Sequence, residues 1–304
     1  LIILTLICLI PFFIISDEYK NLHGTDPILF IGICVLTFIF GAGLGSFSSA
    51  LAYRVPRGLP WIFENGSGKH PSQSQRPSRS RCPHCDHTLH FQDLIPVLSW
   101  LFSGGKCRYC LKKISPSYLL LELISGLLCL TSFLLMGITF PALFFILSIP
   151  FFIALTVIDL RHYILPDQLL MMTLIFGVLY VIASPNPYDL STPFLSSLGQ
   201  VFWACLSAAF FAVFIFAIGK ITSLALGRSS LGFGDVKLFA VCGVWLGIHD
   251  LPYLLIFSGI FGVLLGLMWR AVTKKKVFPF GPAIICALII LVLCEDIFLS
   301  ASKL

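Results

Sequence analysis

Thr156-Val157-Ile158-Asp159-Leu160-Arg161-His162-Tyr163-Ile164-Leu165-Pro166-Asp167 is the stretch that decides how this chain is read. The residues from 142 to 158 are almost all apolar and long enough to span a bilayer, yet the run ends on a carboxylate. A second acid sits in Leu231-Gly232-Phe233-Gly234-Asp235-Val236-Lys237, at the head of another apolar run. An ionisable side chain in a spanning segment costs about 2.5–3.5 kcal/mol on insertion scales, so such an acid is read as functional by default. Two of them in one hydrophobic chain point to acid–base chemistry at a membrane.

Composition agrees. The 304 residues are 58% hydrophobic and only 11% charged, which excludes a soluble globular domain and makes this an all-α polytopic membrane protein. Eight spans are expected, at 28–52, 117–138, 142–158, 164–183, 194–219, 238–250, 251–269 and 281–299. The 238–250 run is short and is expected either to begin inside the membrane, near the glycine-rich motif, or to be partly re-entrant. Residues 1–15 are also apolar, without a basic segment before them, and read as the tail of an extra span or of a signal-like segment cut at its start.

The formal charge of +6 is a topology signal and does not call for a nucleic-acid partner. All Lys and Arg except Lys20 and Lys303 fall in 53–116, at Arg161, in 220–237 and in 270–276. Eight spans put these four regions on one side, and the positive-inside rule makes that side cytoplasmic. The loops near 139–141, 184–193 and 249–251 carry no Lys or Arg. Lys274-Lys275-Lys276 reads as an anchor touching anionic lipid.

The one sizeable polar segment is 53–116. Residues 64–81, rich in Gly, Ser, Pro, Gln and Arg, read as a flexible basic linker. Beyond it, Cys82-Pro83-His84-Cys85 and Cys107-Arg108-Tyr109-Cys110 form two Cys-x-x-Cys pairs at zinc-module spacing. Each pair turns two thiolates onto one ion, and four thiolates close a tetrahedral shell with no open position, so Zn2+ here is expected to be structural. Metal binding supplies on the order of 10–16 kcal/mol of folding free energy in small zinc peptides. His84, His87 and His90 are read as surface residues or supports of the thiolates. The remaining cysteines, Cys8, Cys34, Cys129, Cys205, Cys242, Cys286 and Cys294, read as small buried hydrophobes.

Topology brings Asp159 and Asp235 to similar depth on one side. Two close carboxylates share a proton; one then serves as general base on water while the protonated partner polarises a scissile carbonyl. Gly232 and Gly234 clear the flanks of Asp235 and let the backbone leave helical geometry beside an extended substrate. Simpler readings compete: Asp159 pairing with Arg161, and Asp235 with Lys237. Asp167, after Pro166, suits the N-terminus of the next helix and is kept as a supporting acid. Lys237 holds the Asp235 loop, tunes its charge, or anchors the interface. Glu122 is a further costly acid, near the start of the 117–138 span.

The chain resembles the bacterial type IV prepilin leader peptidases, membrane aspartic proteases that are also N-methyltransferases. The resemblance covers about residues 39–250. It runs through Gly41-Ala42-Gly43-Leu44-Gly45-Ser46-Phe47 and Tyr53-Arg54-Val55-Pro56-Arg57. It continues in Ser80-Arg81-Cys82-Pro83-His84-Cys85, in Ile95-Pro96-Val97-Leu98-Ser99-Trp100-Leu101, and in Pro116 through Glu122 to Gly126. It closes on the two aspartate motifs. The long segment between Pro60 and Ser80, Ser230 where relatives often have Gly, and the apolar start at 1–15 depart from the pattern.

The resemblance implies catalysis by Asp159 and Asp235 at the bacterial inner membrane. The implied reaction is removal of a short basic leader from prepilins or pseudopilins after a Gly, at the cytoplasmic face. It also implies methylation of the new N-terminal residue, usually Phe, from S-adenosylmethionine, with Glu122, Gly41 and Gly45 as candidates for that second activity. No Rossmann-type donor loop is spelled in the sequence. The expected division is 1–27 as an N-terminal apolar segment and 28–138 as a first span, zinc region (53–116) and return helix with the methyltransferase part. Residues 139–250 follow as the peptidase core, and 251–304 as C-terminal spans. A proton-coupled transporter is the alternative, since it uses buried acids too, but it calls for inverted repeats around a midplane site, and no repeat is evident. A zinc-anchored scaffold leaves the Gly-x-Gly-Asp pattern unexplained. A presenilin-like protease shares the acids without the four cysteines.

Overall fold

In a bilayer every backbone N–H and C=O needs a partner within the protein, so long apolar runs become helices. The computed structural model describes residues 27–59, 82, 84–85, 87–184, 193–227, 232–274 and 277–294. Among these, each expected span corresponds to one helix. They are α1 (Pro27–Arg54), α3 (Pro116–Met136), α4 (Phe140–His162), α5 (Asp167–Ala183), α6 (Pro193–Leu226), α7 (Phe233–Leu246), α8 (Leu251–Thr273) and α9 (Gly281–Leu293). A short helix, α2 (Leu98–Phe102), lies in the polar segment. The described residues contain no strand; isolated bridge pairing occurs at Thr88 and, antiparallel, between Lys106 and Lys113. The apolar segment 1–15, the 64–81 linker, Ser230, Lys275, Lys276 and the end of the 281–299 span lie outside the described residues.

Five of the helices are long enough to cross a membrane alone; α5, α7 and α9 are shorter, with 17, 14 and 13 residues. At 1.5 Å per residue α7 and α9 extend about 21 and about 20 Å, well short of a 30 Å hydrocarbon core. Both are largely buried: α9 from Gly281 to Ile289 is enclosed, and so is most of α7 after Asp235. Longer helices pack around them.

The core is aromatic at its centre. Trp245 of α7 packs against Phe145 and Phe152 of α4 and Tyr180 of α5, and its indole N–H donates to the Thr173 carbonyl at 3.1 Å. Gly177 makes room, since a Cβ there would come within 2.6 Å of the indole nitrogen. On the other flank α1 and α3 approach closely at Gly41, Gly45 and Gly126, where added Cβ atoms would strike the facing helix below 3.0 Å. Small residues four apart permit this contact, which in lipid is driven by packing.

Several expectations are adjusted. The 238–250 span begins earlier, at Phe233, so Asp235 lies inside a helix and not in a loop before it. Asp159 likewise sits within the last turn of α4, its carbonyl capped by the Tyr163 N–H at 3.0 Å. Gly232 has φ −75° and Gly234 is helical, so these glycines supply space without any unusual backbone geometry. Cys129, Cys242 and Cys286 are buried as expected, but Cys205 is exposed and Cys34 and Cys294 are half-buried. A membrane helix has an outer face that meets lipid, so an apolar residue need not be enclosed by protein. Cys8 lies outside the described residues.

Candidate active site and metal centre

Asp159 is 5% exposed, and its Oδ2 accepts the backbone N–H of Gly281 at 2.9 Å. Gly281 is the first residue of α9, so the carboxylate faces the positive end of a helix dipole. Asp235 is in the first turn of α7, three residues after the N-cap Gly232, and its carboxylate accepts the Gly232 N–H. That is one half of a capping box. Asp235 lies within electrostatic reach of Asp159, so the fold brings the two acids to one site.

Leu165 packs against the glycines beside both acids. A Cβ on Gly234 would meet its side chain at 3.4 Å and a Cβ on Gly281 at 3.3 Å. The four elements α4, the 163–166 turn, α7 and α9 thus converge at two helix N-termini that the short lengths of α7 and α9 hold inside the bundle. A Cβ at Gly281 would stand 2.7 Å from Asp159 Oδ2, and one at Gly232 would stand 3.3 Å from Asp235 Oδ2. Glycine at both positions keeps the carboxylates clear.

Gly281 and Leu165 were not singled out from sequence. The signal available was Pro279-Phe280-Gly281-Pro282, a breaker cluster at the head of an apolar run. It marks a helix start but does not say what that start faces.

Lys237 does not go to Asp235. Its Nζ lies 2.7 Å from Asp167 Oδ1 and 5.2 Å from the Phe233 ring, joining α7 to the first turn of α5. Asp167 is thus a helix N-terminal acid, as its place after Pro166 predicts, and also the partner of Lys237.

The sulfurs of Cys82, Cys85, Cys107 and Cys110 all lie within 4.8 Å of one another, with Cys82 and Cys110 3.9 Å apart. A tetrahedron with Zn–S bonds of about 2.3 Å has sulfurs about 3.8 Å apart, so the donor set fits one such ion. Both Cys-x-x-Cys turns are held by the backbone: Cys82 N–H to His87 C=O at 3.0 Å and Cys107 N–H to Lys112 C=O at 2.9 Å. Burial works to raise the Cys82 thiol. The N–H groups of His84 and Cys85 and the neighbouring thiols outweigh it and bring it down to about 7. At Cys85 the His87 N–H lowers the thiol, but desolvation and the three neighbouring thiols push it up to about 11.

The histidines stand outside this cluster. His87 stacks on Tyr109 at 3.7 Å, and Tyr109 donates to Asp93 Oδ2 at 3.2 Å, which also receives the His90 N–H at 3.1 Å. Asp93 therefore ties the two turns together.

Glu122 is half-buried, and its Oε2 accepts the Val97 N–H at 2.8 Å, with Ser46 also bonded to the carboxylate. Gly41 lies against Cys129 and Gly126, and Gly45 against Leu121, Glu122 and Ser125. An added Cβ at either glycine would strike α3, so both permit the close approach of α1 and α3.

Two family models match. "Bacterial Peptidase A24 N-terminal domain" matches residues 39–136, and "Type IV leader peptidase family" matches residues 146–267. A "Type 4 prepilin-like proteins leader peptide-processing enzyme" of Escherichia coli O78:H11 is 33% identical over 82% of this chain and 90% of that relative. A "Prepilin leader peptidase/N-methyltransferase" of Aeromonas hydrophila is 33% identical over 81% of this chain and 86% of its own length. One of Bacillus subtilis with the same name is 32% identical over 87% and 96%. No solved structure matches.

Proposed function

The chain belongs to the type IV leader peptidase family, and on that premise we propose that it removes the leader of prepilins and pseudopilins and N-methylates the exposed residue. The observation that carries the reading is the convergence of Asp159 and Asp235 at two helix N-termini, each carboxylate held by a backbone N–H. The transport alternative has no support from the family matches.

In this reading Asp159 and Asp235 are catalytic and work as a pair. One carboxylate takes a proton from water, and the resulting hydroxide attacks the scissile carbonyl carbon. The other, protonated, hydrogen-bonds the carbonyl oxygen as charge develops there. The tetrahedral intermediate then collapses, breaking the C–N bond, and the leaving amine receives a proton from the acid that took it from water. The base is thereby returned to its carboxylate form and the partner keeps its proton for the next substrate. Gly232 and Gly234 leave room for an extended substrate strand, and Asp167 and Lys237 brace the helices from outside. The peptidase core is taken as 139–250, to which Gly281 from the 251–304 segment is added. The substrate's apolar mature segment lies in the bilayer and diffuses laterally to the acids.

The four cysteines are proposed to hold structural Zn2+. Four thiolates leave no open position, so the ion fixes the module within 53–116 and supplies no Lewis acid to the reaction. The basic loops make the module and acid side cytoplasmic in a bacterial inner membrane. Methyl transfer is assigned through the family, with S-adenosylmethionine the expected donor and 28–138 the part that carries it. Glu122, Gly41 and Gly45 stay the candidates for that activity, with Glu122 also holding the Val97 N–H and the two glycines bringing α1 against α3.

The test is intact-mass analysis of a prepilin incubated with the purified protein, with and without S-adenosylmethionine, beside Asp159→Asn and Asp235→Asn. Leader loss requiring both acids, and a methyl gain requiring the donor, support the reading. Cleavage by both variants would overturn the dyad.

A further inference from the structure

Within the four-cysteine module, the backbone just before α2 bonds α3 nearly two turns past the start of that helix. Glu122 is the seventh residue of α3, about 9 Å along the axis from its start at Pro116. The 21 residues of α3 extend about 31 Å, so nearly its whole length is needed to cross the hydrocarbon core. Glu122 therefore lies inside that core, and it receives the Val97 N–H at 2.8 Å. Val97 is β-branched yet has φ 63°, a conformation that persists only where its surroundings impose it. Non-helical backbone at this depth is tolerated where protein satisfies it, which is what the carboxylate does.

The chain continues from Val97 directly into α2, Leu98–Phe102. Leu98, Leu101 and Phe102 occupy one face at i, i+3 and i+4, and they are 48%, 55% and 83% exposed. Phe91, on the preceding turn, is 82% exposed. An apolar face this bare, starting at the level of Glu122, meets acyl chains and not water. The same module exposes Lys106, Lys112 and Lys113, which anionic headgroups attract, while Arg108 is exposed but paired with Asp93 at 3.6 Å.

We infer that the zinc module is an interfacial element of the membrane, with Leu98, Leu101 and Phe102 of α2 laid into the headgroup–acyl boundary and its basic residues against anionic lipid. The module then does not hang free in solution. The inference stands on geometry and charge and does not depend on the peptidase reading.

The test replaces exposed Phe102 with the photocrosslinker p-benzoylphenylalanine in the full chain. The protein is reconstituted in nanodiscs of phosphatidylethanolamine and phosphatidylglycerol without substrate, irradiated, and analysed by mass spectrometry. A mass gain of one phospholipid, mapped to residue 102, is expected. A crosslink to residues 60–81 of the same chain would show that the chain covers this face, and an absence of lipid adducts would show that it meets water; either overturns the inference. A second arm adds a prepilin: lipid adducts that persist support the inference. Prepilin adducts in that arm, with no lipid adduct in the substrate-free arm, would make the face a substrate surface and overturn it.

Discussion

The backbone N–H of Gly281 donates to Oδ2 of Asp159 at 2.9 Å across 122 residues of sequence. This bond aims the start of α9 at a carboxylate on the last turn of α4, and a side chain at 281 would come within 2.7 Å of that oxygen. Gly281→Ala is therefore expected to push Asp159 off its position. A displacement of about 1 Å at a reacting group costs about 10²-fold, and a loss of that order in kcat/KM for leader cleavage is expected. Cleavage kinetics with a thermal melt of the same sample check this, and wild-type kinetics would show that the contact does not position the acid.

Asp159→Asn and Asp235→Asn are each expected to lower cleavage by about 10²–10⁴-fold, the usual contribution of a positioned acid or base. Both variants keep the shape of the side chain, so the helices should remain assembled. Methylation of a pilin already cleaved should persist in both. Loss of methylation together with cleavage would show that the two activities share the acids.

Lys237 and Asp167 are joined at 2.7 Å, but their side chains are 39% and 70% exposed. Exposed ion pairs contribute about 0–1 kcal/mol. Lys237→Met and Asp167→Asn are expected to lower stability by less than about 1 kcal/mol each, with a double-mutant cycle showing coupling of a few tenths. Cleavage should fall less than about tenfold. A loss of 10²-fold or more in Lys237→Met alone would mean that Lys237 acts on Asp235 directly.

Glu122→Gln keeps an acceptor for the Val97 N–H, whereas Glu122→Leu leaves that donor without one at membrane depth. The leucine variant is expected to destabilise the docking of the module by about 1–3 kcal/mol and the glutamine variant by less. Limited proteolysis between residues 82 and 115 reads the difference: faster nicking in Glu122→Leu and a near-normal rate in Glu122→Gln. Equal rates in the two would remove the anchor role.

Zinc binding requires thiolates, so it releases protons and weakens as pH falls. With the Cys82 thiol lowered to about 7 and that of Cys85 raised to about 11, Cys82 ionises first in the metal-free module and Cys85 late. At about pH 8 Cys85 must still give up a proton to the incoming metal while Cys82 is mostly ionised. Proton release measured by calorimetry in two buffers, with Cys85→Ser for comparison, checks this. Stripping the metal with a chelator should expose 82–115 to protease while the membrane helices stay folded.

The eight apolar helices, the four-cysteine module and both catalytic candidates were legible in the sequence. Hydrophobic runs of spanning length leave little choice of conformation in lipid, where every backbone group must be satisfied locally. Cys-x-x-Cys spacing likewise prescribes a local turn. An acid bordering such a run stands out because burying it is costly. What the sequence determined is therefore what short-range chemistry dictates: which segments are helical, which loops carry the basic residues, and which acids border apolar runs.

Long-range relationships were decided by tertiary structure alone. Nothing local tells that the start of α9 faces Asp159, that Leu165 packs against the glycines flanking the acids, or that Lys237 turns to Asp167 and away from Asp235. Gly41 and Gly45 read as functional candidates in one dimension and as a helix contact in three. The docking of the polar segment on α3 is of the same kind. The reach of Val97 down to Glu122 depends on how two distant segments pack, and packing is a property of the assembled helices that no single run of residues carries.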